Sequence, residues 1–177
     1  LAPAQNATRE RDVLVTGGWL FASTGNQRVR NPGILIRAGK FLRVGGDLSI
    51  AAADAERVQL ADTETVIPGL FDLHAHYAMD LFNAGRKDET TAYPSLFLAN
   101  GVTSTWPAGE MKPDSMMALR IRIDRGLEPG PRLLNSGPYF GTARPGWDSN
   151  ISVDSIYAEV DYWAEHGVRG FKAKGIK

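Results

Sequence analysis

The segment Val66-Ile67-Pro68-Gly69-Leu70-Phe71-Asp72-Leu73-His74-Ala75-His76 constrains this chain more than any other stretch: an apolar run of strand character ends in two histidines one residue apart. On a β-strand, positions i and i+2 share a face with Cα atoms roughly 6.7 Å apart, so two imidazoles can close on one metal ion at about 2.1 Å. Asp72, His74 and His76 fall on one face, and Phe71, Leu73 and Ala75 on the other. The apolar face is expected to pack under helices and the polar face to line an interior or a mouth. Strands of a (β/α) barrel read this way, with chemistry gathered at their C-terminal ends. A lone His-x-His is as readily a buried pair satisfied by hydrogen bonds. Here the Pro68-Gly69 turn, the apolar run and the shared parity favour a metal site.

The rest of the chain sets bounds on partners. Its 177 residues suit one domain with at most a small appendage, and 43% hydrophobic with 23% charged residues can build a core. Lys+Arg of 20 balances Asp+Glu of 20, so bulk charge draws the chain neither to nucleic acid nor to a membrane surface. A small-molecule substrate is the expected partner. The absence of cysteine excludes disulfides, thiolate metal sites and a cysteine nucleophile, and leaves the compartment open. No run of about 18 apolar residues occurs, so no membrane-spanning helix is expected. Residues 1–11 read as a flexible leader, either the mature end of an exported protein or an arbitrary boundary. A soluble protein is expected in both cases.

Residues 12–67 read as a small β-sheet subdomain with strands at Val13-Leu14-Val15, Trp19-Leu20-Phe21, Gly33-Ile34-Leu35-Ile36-Arg37 and Phe41-Leu42-Arg43-Val44. Ala38-Gly39-Lys40 is the hairpin link, with glycine supplying positive φ. Residues 51–55 read as a surface turn or short helical piece. Over residues 68–177 strand alternates with helix. The strand of Leu70 to His76 precedes a helix over residues 90–100 closed by Gly101. Val102-Thr103-Ser104-Thr105-Trp106 is the next strand. A helix then starts near Pro113-Asp114 with Met116, Leu119, Ile123 and Leu127 on one stripe. Pro131 to Ser136 form a third strand and residues 137–150 a long loop. A last helix carries Ile156, Val160 and Trp163, closed by His166-Gly167, and Val168 to Lys174 form a fourth strand. Such alternation implies parallel strands, and four units make half of an eight-stranded barrel.

Taken together, the hairpin Ile34 to Gly45, the Pro-Gly-x-x-Asp-x-His-x-His run, Gly101-Val102-Thr103-Ser104-Thr105, Gly130-Pro131-Arg132-Leu133 and His166-Gly167-Val168-Arg169-Gly170-Phe171-Lys172 resemble the amidohydrolase superfamily. The resemblance covers nearly the whole chain after Asp12 and leans toward its prolidase-like and imidazolonepropionase-like members. It implies an α/β protein, the first half of a (β/α)8 TIM-like barrel preceded by a small β-sandwich subdomain. It further implies that His74 and His76 bind a divalent metal, Zn²⁺ first, and that a lysine ending the fourth strand is carboxylated by carbon dioxide and bridges to a second ion. Lys172 matches best by its place, and Lys174 has the same parity. A buried lysine with a depressed pKa beside cations would suit the carbamate. For each lysine alone, a solvated strand end stands equally beside that role.

The reaction so implied is hydrolysis of an amide-type C–N bond in a dipeptide, N-acyl amino acid or cyclic amide by a metal-activated hydroxide. A mononuclear deaminase of the same superfamily, and a non-catalytic half-barrel serving as a structural or binding partner, are the alternatives. The family's remaining metal ligands come from later strands, so no catalytic carboxylate is expected in this segment. A further polypeptide segment completing the barrel is expected, and a homo-oligomer with it, because half a barrel would leave buried-type strands uncovered. Tyr77, Arg144 and Trp147, with Trp106, sit after strand ends where barrels place substrate loops. Loop packing is the competing role for them. Asp72 would orient a ligand histidine. His166 suits a helix C-terminus, where imidazole meets the last carbonyls.

Overall fold

The computed structural model describes residues 11–46, 48, 52, 54–77 and 90–176. Residues 1–10 of the expected leader, and Ala51 and Ala53 of the expected turn, lie outside them. The chain divides into two units, Leu1–Pro68 and Gly69–Lys177.

In the first unit, β1 (Val13–Leu20) pairs antiparallel with β2 (Val29–Arg30) and β3 (Ile34–Arg37), and β3 continues through a tight hairpin into β4 (Lys40–Val44). Ala38 and Gly39 both take positive φ, 47° and 70°, the handedness that a two-residue hairpin loop demands. A fifth strand, β5 (Glu56–Val66), runs parallel to β1. Leu14 and Leu35 face each other across the sheet and build the core with Leu48 and Ala52.

Two sequence expectations change here. The segments at Val13 and Trp19 are one strand, because Gly17 and Gly18, at φ 78° and 56°, carry the chain through a register shift against β5. A Cβ on Gly18 would collide with the carbonyls of Ala61 and Glu64. β5 itself escapes the reading because Glu56, Arg57, Gln59, Asp62, Thr63, Glu64 and Thr65 leave no apolar alternation; backbone pairing with β1 holds it.

The second unit is built on parallel pairing. β6 (Leu70–Ala75) pairs with β7 (Val102–Pro107), and β7 with β8 (Arg132–Leu133). β9 (Tyr139–Phe140) pairs parallel with β10 (Lys172–Ala173). Backbone bonds beyond these strands continue the order: Glu110 N–H donates to Gly137 O at 3.1 Å, Arg169 N–H to Asn135 O at 3.3 Å, and Gly137 N–H to Gly170 O at 3.0 Å. The connecting helices are α1 (Tyr93–Ala99), α2 (Pro113–Asp124) and α3 (Val153–Glu165). Proline opens α1 and α2, where its missing N–H costs nothing. Ser152 caps α3 by accepting the Ser155 N–H at 3.1 Å. Gly101, Gly126 and Gly167 follow the three helix ends with φ of 77°, 68° and 86°.

Ala75, Tyr77, Met116, Leu119 and Leu133 form the core, with Tyr93, Phe97 and Ile123 against it. Leu127 does not join the α2 stripe. It falls past the helix end and is 69% exposed. The expected third and fourth strands shorten to β8 and β10, and the expected long loop contains β9, whose Tyr139 and Phe140 are buried. Gly137 permits this, since a Cβ there would enter the Phe171 ring. The apolar face of β6 is also corrected: Ala75 is buried, but Phe71 and Leu73 are 47% and 63% exposed. Among the described residues α1 packs on β7 and α2 on β8, so no helix covers β6.

Leu119 is fully buried in this core. Leu119→Ala is expected to cost about 2–5 kcal/mol, against less than ~0.5 kcal/mol for Leu127→Ala, read as the shift in urea midpoint.

Candidate metal and ligand site

Two register shifts shape the end of β6: one between Leu70 and Phe71, the other between Asp72 and Ala75 opposite β7. An irregular ladder twists a strand locally and re-aims its side chains. Gly69 allows the close start of the pair, because any Cβ there would run into the Thr103 side chain. At the far end Asp72 Oδ1 accepts the His74 backbone N–H at 2.9 Å, so the carboxylate braces the backbone of the motif.

The His74 and His76 rings lie side by side, centroids 5.1 Å apart and tilted 57°. Lys172, from β10, brings Nζ to 2.6 Å from His74 Nε2, a contact in which the amine donates and the imidazole nitrogen accepts. Three of the expected site residues therefore meet although 98 positions separate His74 from Lys172. Lys174 lies near enough to act on His76 by charge. The His76 pKa is lowered, first by burial, then by the neighbouring His74, Lys172 and Lys174, with Asp72 opposing them. A neutral imidazole with a free lone pair is the form that binds metal. Among the described residues no three His, Cys, Asp or Glu side chains converge as a metal-binding group; the cluster is two imidazoles and an amine.

Beside it opens a cavity of about 560 Å³ lined by His76, Tyr77, Glu110, Lys112, Tyr139 and Lys174, among others. Tyr77 lines it but is anchored in the core: its hydroxyl is 2.7 Å from Thr105 Oγ1, its ring packs against Phe97, and burial pushes its pKa up to about 12. Arg144 pairs with Glu159 at 2.8 Å, and Trp147 meets Phe140 edge-on at 6.1 Å. Neither lines this cavity. Trp106 packs against Gly170. His166 Nδ1 is 2.7 Å from Tyr162 O at the end of α3.

Sequence reading missed Glu110. It follows β7 at the same end of the sheet as His76, and is 4% exposed. Its Oε1 accepts the Ser136 N–H at 3.2 Å, while Oε2 makes no well-formed hydrogen bond among the described residues. Burial pushes its pKa up to about 8, against hydrogen bonding from the Ser136 amide and the influence of Asn135. Asn135 is itself buried, and neither polar atom of its side chain finds a well-formed bond. Gly109, at φ 80°, lies directly under the Tyr139 ring. The available signal was positional: Glu110, Asn135 and Ser136 lie within a few residues of the ends of β7 and β8, which are neighbours in a parallel sheet.

The fold of the chain is found in solved structures. The chain superposes on a Xaa-Pro dipeptidase with methionine in its active site, at a TM-score of 0.72 and 20% identity, over 92% of this chain and 46% of that one. Nearly the whole chain shares its fold with part of that dipeptidase. Ochratoxinase from A. niger matches at 0.66 and 18% identity, over 92% and 46%, and phenylurea hydrolase B at 0.68 and 18%, over 92% and 45%. The chain spans less than half the length of these structures, and at these identities the likeness is one of fold. No family model and no curated protein matches the sequence. Among the described residues no helix is long and apolar enough to cross a membrane.

The buried carboxyl makes stability depend on pH with a definite sign. Glu110 ionises near 4.5 when unfolded and near 8 when folded, so within that window the native state holds a proton that the unfolded state has lost. Its contribution is therefore full below the window and falls as pH rises, by at most about 1.4 kcal/mol per pH unit. Urea midpoints between about pH 5 and pH 8 should decline less in Glu110→Gln than in the unaltered protein.

Proposed function

We propose that the intact protein is a metal-dependent amidohydrolase that cleaves an amide-type C–N bond in a dipeptide, N-acyl amino acid or cyclic amide. The observation that carries this reading is the meeting of His74, His76 and Lys172 at one end of parallel strands, beside a cavity of substrate size. The parallel units of residues 68–177 are read as the first four of a (β/α)8 barrel, and residues 12–67 as part of a β-sandwich subdomain. The structural neighbours are hydrolases, phenylurea hydrolase and Xaa-Pro dipeptidase among them.

The donor set fits a divalent metal. His76, kept neutral by burial and its cationic neighbours, and His74, braced through its backbone by Asp72, would hold one Zn²⁺. Lys172, already against His74, would bridge to a second as its carbamate, with Lys174 the other candidate. Bound metal supplies Lewis acidity toward the carbonyl oxygen and a more acidic water. Within this chain, Tyr77 and Tyr139 wall the cavity; Arg144 and Trp147 would reach substrate only from the loop beyond β9. The uncovered Phe71 and Leu73 support a further polypeptide segment completing the barrel, and homo-oligomerisation of the completed protein. A single-metal deaminase is the second reading, favoured by the direct amine-to-imidazole contact of Lys172 with His74.

Metal analysis of the intact protein, with a screen of dipeptides and N-acyl amino acids, tests both readings. Two ions per chain, with His74→Ala weakening metal affinity by about 100-fold or more, support the hydrolase. One ion with an unmodified Lys172 supports the deaminase. Unchanged metal content in His74→Ala removes the basis of either.

A further inference from the structure

Glu110 has no task in the chemistry above, yet it is a buried acid in the wall of the cavity. It is almost wholly buried, and one oxygen is committed to the Ser136 amide. The other makes no well-formed hydrogen bond among the described residues, although the Asn135 side chain lies close enough to Glu110 to lower its pKa. An unsatisfied buried carboxyl oxygen is costly to keep, and such groups mark places where a ligand completes the hydrogen bonding. Among the described residues lining the cavity Glu110 is the one acid, while Lys112 and Lys174 supply positive charge, and Met111, Met116 and Tyr139 supply apolar wall. A lining with one buried acid, exposed lysines and apolar surface between them complements a small zwitterion with an apolar side chain.

We propose that Glu110 is the specificity residue of this cavity, receiving through Oε2 the free ammonium group of an amino-acid-type substrate whose carboxylate faces Lys112 and Lys174. The inference rests on the reading of the cavity as the substrate site, and within the substrate classes given there it selects those with an unblocked amine. A cationic nitrogen offers several charge-assisted donors and the counter-charge that would draw the buried carboxyl into its ionised form. An acylated nitrogen offers one neutral N–H and a carbonyl oxygen, and would leave the carboxyl protonated.

Calorimetric titration of the intact, metal-loaded protein with L-leucine and with N-acetyl-L-leucine tests this. L-Leucine is expected to bind about ten- to a hundredfold more tightly. Glu110→Gln, whose amide oxygen can still accept the Ser136 N–H, should remove that preference and leave the acetylated ligand unchanged. Equal affinities, preference for the acetylated ligand, or binding of neither overturns the proposal, as does an undiminished preference in Glu110→Gln. The comparison in the unaltered protein decides the matter even where the variant fails to fold. Hydrolysis assayed in parallel separates the two inferences: turnover with no amine preference overturns the role of Glu110 and leaves the hydrolase standing, and amine preference without turnover does the reverse.

Discussion

Parallel pairing of short strands is the constraint on which the second unit depends. In a parallel ladder every strand presents the same end to the same side, and the helical returns lie on a face. Residues that follow β6, β7 and β8 therefore gather without any local sequence relation: His76 after β6, Glu110 after β7, Asn135 and Ser136 after β8, with Lys172 on β10 and Lys174 just past it. The bonds from Glu110 to Gly137 and from Gly137 to Gly170 continue that alignment where regular strand geometry has stopped. Function and fold share these backbone contacts, so displacing one strand would scatter the whole cluster.

The electrostatics of the cluster are one-sided in an informative way. His76 is driven toward its neutral form by burial and by nearby cations, and Glu110 is driven toward its neutral form by burial. Both shifts reflect a region where charge is expensive unless something brings a counter-charge. Tyr77 shares that environment, but its hydroxyl is already satisfied by Thr105. It is a wall, while Glu110 keeps an open valence.

The legibility of the chain follows from what each residue's neighbours are. The His74/His76 parity could be read because the strand period places both rings on one face; Lys172 was expected from the family resemblance, with Lys174 of the same parity beside it. The helices α2 and α3 could be read because apolar residues recur at helical spacing and closing glycines mark their ends. β5 was illegible, since its pairing is a backbone matter and its side chains carry charge on both faces. β9 was illegible because Gly137-Pro138 resembles loop punctuation, although its absent side chain makes room for Phe171. The exposed side of β6 differed from expectation because apolar alternation states a preference for burial and does not supply the covering element. Glu110 was overlooked because burial of a single carboxylate leaves no periodic mark in the sequence.

The Tyr139 ring rests where any side chain at position 109 would begin. One hydrogen atom in place of a methyl thus sets how far the phenol can lie back from the opening. Gly109 itself borders the chamber, so a lineage that replaced this glycine would reshape the opening chiefly by displacing the Tyr139 ring.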